Sequence, residues 1–129
     1  MATIKSYTDL EQSRKLAEFL PLESADMCYR YYSGGMITGY GDCVLAKSFI
    51  TGKNVIREND LHCWSLAALL GVLPILERKG YQKAKPRLLY NVAINKWIVD
   101  SHVYTTDAYD NPIDACYEMI IKLHEQKIL

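Results

Sequence analysis

The spacing of the apolar residues changes within the C-terminal half of the chain. From Leu88 to Tyr104 apolar side chains recur about every second residue, as they do in strands, whereas between Ile113 and His124 the spacing is about 3.6 residues, as in a helix. A chain that carries both periods in neighbouring segments must pack strands beside a helix. The sequence therefore predicts the α+β class.

The alternation on both sides of Asn95-Lys96 predicts a β-hairpin over residues 87–104. The turn lacks the glycine that two-residue hairpin turns favour. The sequence therefore predicts the two strands more clearly than it predicts which of their residues pair. The last helix is predicted to begin at Asn111, a capping residue that is followed by Pro112 in the first turn. We expect three helices packed on a small antiparallel sheet built around this hairpin.

Two further helices are predicted in the N-terminal half. Thr8 and Glu11 have the spacing of a capping box and Pro21 ends the segment, which indicates a helix over residues 9–20. Asp60 is a suitable cap for a second helix over Leu61–Leu73, and its nearly continuous apolar surface predicts a central, buried position. Residues 27–32 and 43–50 are compatible with short strands between glycine-containing turns.

The balance of charge excludes some classes of partner. The chain has 129 residues, which fits a single domain over 1–129, with 15 basic and 15 acidic residues and a formal net charge of zero. A neutral chain has no global attraction to nucleic acid or to an anionic membrane. No apolar run approaches the roughly 18 residues of a membrane span, and the first residues lack the pattern of a secretory signal. We expect a cytoplasmic protein with reduced cysteines.

The four cysteines are scattered and lack the paired spacing of structural zinc sites, so no metal and no cofactor is predicted. Cys63 is the best candidate nucleophile, because it lies beside His62 in the first turn of the predicted second helix. Adjacent helical residues point about 100° apart, however, so the two side chains are poorly placed for catalysis. A small cysteine-dependent enzyme centred on Cys63 is one alternative, and packing of this thiol in the core is the other. No catalytic residue is assigned.

The segment from Met27 to Tyr40 is rich in tyrosine. Tyr29, Tyr31 and Tyr32 surround Arg30, and tyrosine and arginine are enriched at protein interfaces because they combine a large area with a polar group. Aromatic packing across strands inside the fold explains the pattern equally well. The first interpretation predicts a protein partner or a second copy bound at residues 27–40.

A basic cluster precedes the predicted hairpin. It combines five cations with one aromatic residue, the ingredients of phosphate contacts and base stacking: Arg78, Lys79, Tyr81, Lys83, Lys85 and Arg87. This cluster makes weak nucleic-acid binding a second alternative function. A solvated connector is the competing interpretation.

Three segments of the sequence carry a family resemblance. They are LPLESADM at 20–27, CWSLAALL at 63–70, and NPIDAC with EMII at 111–116 and 118–121. Together they resemble small proteins carried by phages and prophages of gut Bacteroidales, a group for which the resemblance implies an origin but no activity. Our leading hypothesis is a non-enzymatic accessory protein of a phage or mobile element that acts through protein–protein contacts, including self-association.

Overall fold

The computed structural model describes residues 5–34, 38–48, 50–77, 83–101 and 103–129. These residues form three α-helices and two small antiparallel sheets, which confirms the α+β class. In chain order the elements are α1 (Leu10–Ala17), a 3-10 helix (Leu22–Ser24), β1 (Met27–Tyr32), β2 (Gly39–Leu45), β3 (Leu61–Cys63), α2 (Leu66–Val72), β4 (Arg87–Asn91), β5 (Lys96–Asp100) and α3 (Pro112–Glu125).

The strands belong to two sheets, where the sequence led us to expect one. β1 pairs with β2 on one side and β3 on the other, and β4 pairs with β5. The chain clusters into two compact units, one over residues 7–68 and the other over residues 69–129 with Lys5 and Ser6, and the division falls within α2. The single domain over 1–129 stays a prediction.

In the first unit, α1 begins at Leu10, one residue later than predicted, and it ends at Ala17, before the predicted end at residue 20. The capping box is formed by Asp9 and Gln12: the Asp9 carboxylate accepts the Gln12 N–H at 2.8 Å, and the Gln12 side chain accepts the Asp9 N–H at 3.1 Å. The predicted box of Thr8 and Glu11 is wrong. Thr8 is fully buried instead, and its hydroxyl accepts the N–H of Trp64 at 3.2 Å. This contact ties the chain before α1 to the end of β3, against which α1 packs.

The predicted buried helix over Leu61–Leu73 is also wrong. Leu61–Cys63 form β3, which pairs with Met27–Tyr29, and only Leu66–Val72 are helical, with Leu69 the only fully buried residue of that helix. Asp60 does not cap a helix, because its carboxylate binds the backbone N–H of Tyr31 in β1 at 2.9 Å. Because Asp60 is bound to β1, the next three residues lie alongside that strand. The apolar segment after Asp60 therefore forms a strand, β3, followed by a short helix, α2.

In the second unit, the predicted hairpin is present with a longer connection. The register runs from Arg87 opposite Asp100 to Asn91 opposite Lys96, so four residues, 92–95, form the loop. A turn at Asn95-Lys96 was predicted, but Lys96 already pairs in β5. Asn95 ends the loop with φ of 52°, a left-handed conformation that asparagine tolerates better than most residues.

The prediction for α3 is confirmed. The Asn111 side chain accepts the N–H of Asp114 at 2.8 Å, and Pro112 occupies the first turn, where its missing N–H has no cost. The buried face packs against β5 and β4 and consists of Ile113, Ala115, Cys116, Met119, Ile120 and Leu123. None of the helices in the described part of the chain is both long and apolar enough to cross a membrane.

Candidate functional site

The tyrosines of β1 make most of their contacts inside the first unit. The Tyr29 hydroxyl donates to the carbonyl of Thr8 at 2.6 Å, and its ring meets Tyr7 edge-on at 5.9 Å between centroids. Tyr31 packs edge-on against Tyr40 of β2 at 5.4 Å. Tyr32 alone of the three is exposed, at 42%. Cross-strand packing therefore accounts for Tyr29 and Tyr31, and only Tyr32 presents substantial area to a partner.

The Arg30 guanidinium is used within the fold. It lies 3.0 Å from the carboxylate of Asp60 and donates to the carbonyl of Val55 at 2.9 Å. The Asp60 side chain is 1% exposed and also accepts the backbone N–H groups of Tyr31 and Arg57. Burial by itself raises the pKa of Asp60, but the two N–H donors and the nearby guanidinium groups lower it overall. A charge held this firmly is a poor anchor for a partner.

The structure changes the setting of Cys63. It lies in β3 opposite Met27, not in the first turn of a helix as predicted, and it is fully buried. His62 is opposite Cys28, and because neighbouring strand residues point to opposite faces, its ring lies on the other face of the sheet. The geometric basis for a Cys63–His62 catalytic pair is therefore gone.

Cys63 forms a different contact, which the sequence did not indicate. The Cys43 thiol donates to the Cys63 sulfur at 3.6 Å, and the Cys63 thiol lies 3.3 Å from the Thr8 carbonyl. The hydrogen bond from Cys43 lowers the pKa of Cys63, while burial acts in the opposite direction. Nothing in their spacing signals the pair, since β1 has to pair with both flanking strands to bring the thiols together. Within the described ranges no group of three or more His, Cys, Asp or Glu side chains is arranged to hold a metal ion.

The basic cluster is only partly described, because Arg78, Lys79 and Tyr81 lie outside the described residues. Of the others, Lys83 is 3.7 Å from Glu77, Arg87 pairs across the hairpin with Asp100, and Lys85 is exposed. Of these three cations, Lys83 forms an ion pair with a carboxylate, and Arg87 faces Asp100 in the strand register. This mixed charge weakens the electrostatic case for nucleic-acid binding.

The largest departure from expectation is the exposure of the β4–β5 hairpin. Large apolar side chains along one strand and its loop face solvent, with exposures of 41% for Leu89, 46% for Tyr90, 76% for Val92 and 51% for Ile94. In the described part of the chain β4 pairs only with β5. Period-two alternation predicted these strands correctly, but it carries no information about whether another element covers them.

Comparison with protein-family models, with curated proteins and with solved structures finds no match to the chain. The functional argument therefore depends on the geometry of these surfaces.

Proposed function

We propose that this is a non-enzymatic binding protein that acts through protein–protein contacts, and that its contact element is β4, which pairs with β4 of a second copy. The observation that carries the proposal is an edge strand that exposes Leu89 and Tyr90 between polar Arg87 and Asn91, next to the exposed loop residues Val92 and Ile94. Contiguous exposed apolar residues are uncommon on monomeric proteins and mark interaction sites.

The first support is the open backbone edge of β4. Successive N–H and C=O groups of a strand point alternately to its two sides, and β5 takes up only one side. No other described strand pairs with β4, and none of its backbone groups makes a hydrogen bond elsewhere in the described residues. An edge of this kind binds another strand by extending the sheet.

The second support is that the strand is complementary to itself. Antiparallel pairing centred on Leu89 places Leu89 opposite its own copy, Leu88 opposite Tyr90, and Arg87 opposite Asn91. No like charges face each other in this register, and the arginine faces an amide with which it can form a hydrogen bond. The pairing turns two hairpins into one four-stranded antiparallel sheet.

The proposed origin in a phage or mobile element depends on the resemblance of residues 20–27, 63–70 and 111–121. The argument for the β4 contact does not depend on this resemblance. A small accessory protein with no catalytic constellation in its described residues would act by assembling with itself or with others, and the β4 edge is the surface that favours self-assembly.

Sedimentation velocity over a range of protein concentrations tests the proposal. We expect a concentration-dependent dimer of the native protein and a monomer of the Leu89→Lys variant, because the substitution sets two ammonium groups opposite each other in the paired strands. Val103→Lys is the matched control, since Val103 is 38% exposed, lies outside β4, and should leave the dimer intact.

Hydrogen exchange identifies the surface. The β4 amides should become more protected as protein concentration rises, whereas those of β2 should not. A native protein that stays monomeric at its solubility limit, or a dimer that Leu89→Lys leaves unchanged, contradicts the proposal.

A further inference from the structure

A cavity opens on the first unit. It has a volume of about 290 Å³ and lies between the 3-10 segment and the chain that follows β2. Its apolar wall includes Ala25 and Ala46, which are 7% and 4% exposed, together with half-buried Ile56. This volume lies just below the roughly 300–1,000 Å³ of small-molecule sites, which favours a small ligand.

The walls of this cavity are held by backbone hydrogen bonds. The N–H of Ala46 donates to Asp26 at 2.9 Å, and the N–H of Val55 donates to Ala46 at the same distance. Lys47 pairs with Asn54 in a short antiparallel bridge, which fixes the base of the lysine side chain. A cavity built from fixed backbone segments needs little rearrangement when a ligand enters.

His62 lines the cavity, and its ring has no hydrogen bond to another described residue. The ring is half-buried, and none of the hydrogen bonds or ion pairs of the described residues involves it. Burial lowers the pKa of His62, although the carboxylate of Asp60 acts against this. A neutral imidazole offers one hydrogen-bond donor and one acceptor. A ligand that forms hydrogen bonds with this half-buried ring offsets the cost of removing it from water, and a negatively charged ligand also stabilises its protonated form.

Two opposite charges complete the lining. Glu23 and Lys47 are exposed, and neither forms an ion pair with another described residue. A simple anion would be attracted by Lys47 and repelled by Glu23. A simple cation would be attracted by Glu23 and repelled by Lys47. A ligand that carries both charges is attracted by both residues.

We propose that this cavity binds a small zwitterion of the α-amino acid class with an apolar side chain. The carboxylate is held by Lys47 and His62, the ammonium group by Glu23, and the side chain by Ala25, Ala46 and Ile56. A phosphate ligand fits less well, because a single lysine and no arginine is found among the described residues that line the cavity.

Calorimetry with three ligands of one shape tests the charge requirement. L-Leucine carries both charges, isocaproate lacks the ammonium group, and isoamylamine lacks the carboxylate. We expect leucine to bind at least tenfold more tightly than either analogue. Equal binding of the three, or no binding of leucine at millimolar concentration, overturns the proposal.

Variants assign the contacts. Lys47→Ala and Glu23→Gln should each weaken leucine binding at least tenfold, whereas Lys53→Ala and Glu58→Gln, exposed residues that do not line the cavity, should leave it unchanged. The His62 ring signals provide a readout independent of affinity. A bound carboxylate favours the imidazolium, so leucine should move the titration of His62 to higher pH. An unmoved His62 titration under saturating leucine, or Lys47→Ala binding like the native protein, rules the site out.

The cavity lies within residues 7–68 and the proposed dimer strand within residues 69–129. Because the two proposals use different variants and different measurements, either one can fail without affecting the other.

Discussion

The sheet β2–β1–β3 and the hairpin β4–β5 use their side chains in opposite ways. In the three-stranded sheet, polar groups such as Arg30, Asp60 and the Tyr29 hydroxyl are bound within the unit. In the hairpin, Leu89 and Val92 are apolar and exposed. The composition of a strand therefore does not show which of its groups are available to a partner, because the neighbouring elements determine that.

The difference has a simple structural cause. β1 has a strand on each side, so its backbone and most of its side chains meet other parts of the same unit. Among the described strands, β4 has a neighbour on one side only, and α3 packs on the hairpin chiefly through β5. Four predictions sharpen this contrast, in order of decreasing effect.

Removing the buried carboxylate should have the largest effect. Asp60→Ala leaves the Arg30 guanidinium half-buried without its partner and removes the acceptor of two backbone N–H groups, which should lower the free energy of unfolding by about 3–5 kcal/mol. Urea unfolding followed by circular dichroism measures the change. The exposed Asp42→Ala in β2 is the control and should stay within about 0.5 kcal/mol. Similar losses in both variants would mean that the Asp60 network contributes little.

The same carboxylate should make stability depend on acid. The pKa of Asp60 is lower in the folded protein than in the unfolded chain. Its contribution is therefore complete above the unfolded pKa of about 4 and is lost as the pH falls through the folded value. Urea unfolding at a series of pH values should show this loss in the native protein and a shallower dependence in Asp60→Asn. Parallel curves for the two proteins would contradict the assignment.

Two tyrosine hydroxyls provide a matched pair. Tyr29→Phe removes a hydrogen bond to the carbonyl of fully buried Thr8 and should cost about 1 kcal/mol, whereas Tyr90→Phe removes only an exposed hydrogen bond to Asn95 and should be nearly neutral. Thermal and urea unfolding of both variants measure the difference. A Tyr90→Phe variant as unstable as Tyr29→Phe would show that the hairpin is less exposed than described.

The smallest effect on stability is expected in the hairpin. At protein concentrations where the native chain is monomeric, Leu89→Lys and Val92→Ser should change the free energy of unfolding by no more than about 0.5 kcal/mol, since both side chains already face solvent. Unfolding measured at low and high concentration separates folding from association. A large loss in the dilute monomer would place these side chains in the core and remove the basis for the proposed contact.

Local signals in the sequence were sufficient for part of the fold. Asn111 and Pro112 with helical spacing predicted α3, and alternation predicted the strands of the hairpin. For the segment after Asp60 the same reasoning failed, because an apolar run of this length suits a helix or a strand. The Tyr31 N–H of β1 donates to the Asp60 carboxylate, and this contact favours a strand for Leu61–Cys63 beside β1.

The candidate sites were harder to predict than the fold. Tyr29, Arg30 and Tyr31 were selected for residue types that suit interfaces, and the structure places their polar groups largely in contacts within the unit. The exposed edge of β4 was not selected, because alternating apolar residues are equally typical of a buried hairpin. The cavity at His62 was not foreseen either, since its walls come from segments far apart in the sequence.

The sequence by itself determined the elements whose signals are local: the capped helix α3, the strands β4 and β5, and the neutral charge balance. Tertiary structure alone decided that Cys43 meets Cys63, that Asp60 anchors β1, and that β4 pairs with no described strand except β5. The physical reason is the distance along the chain over which each interaction acts. A cap or a period acts over a few residues, whereas burial and strand pairing depend on which distant segments come to lie beside them.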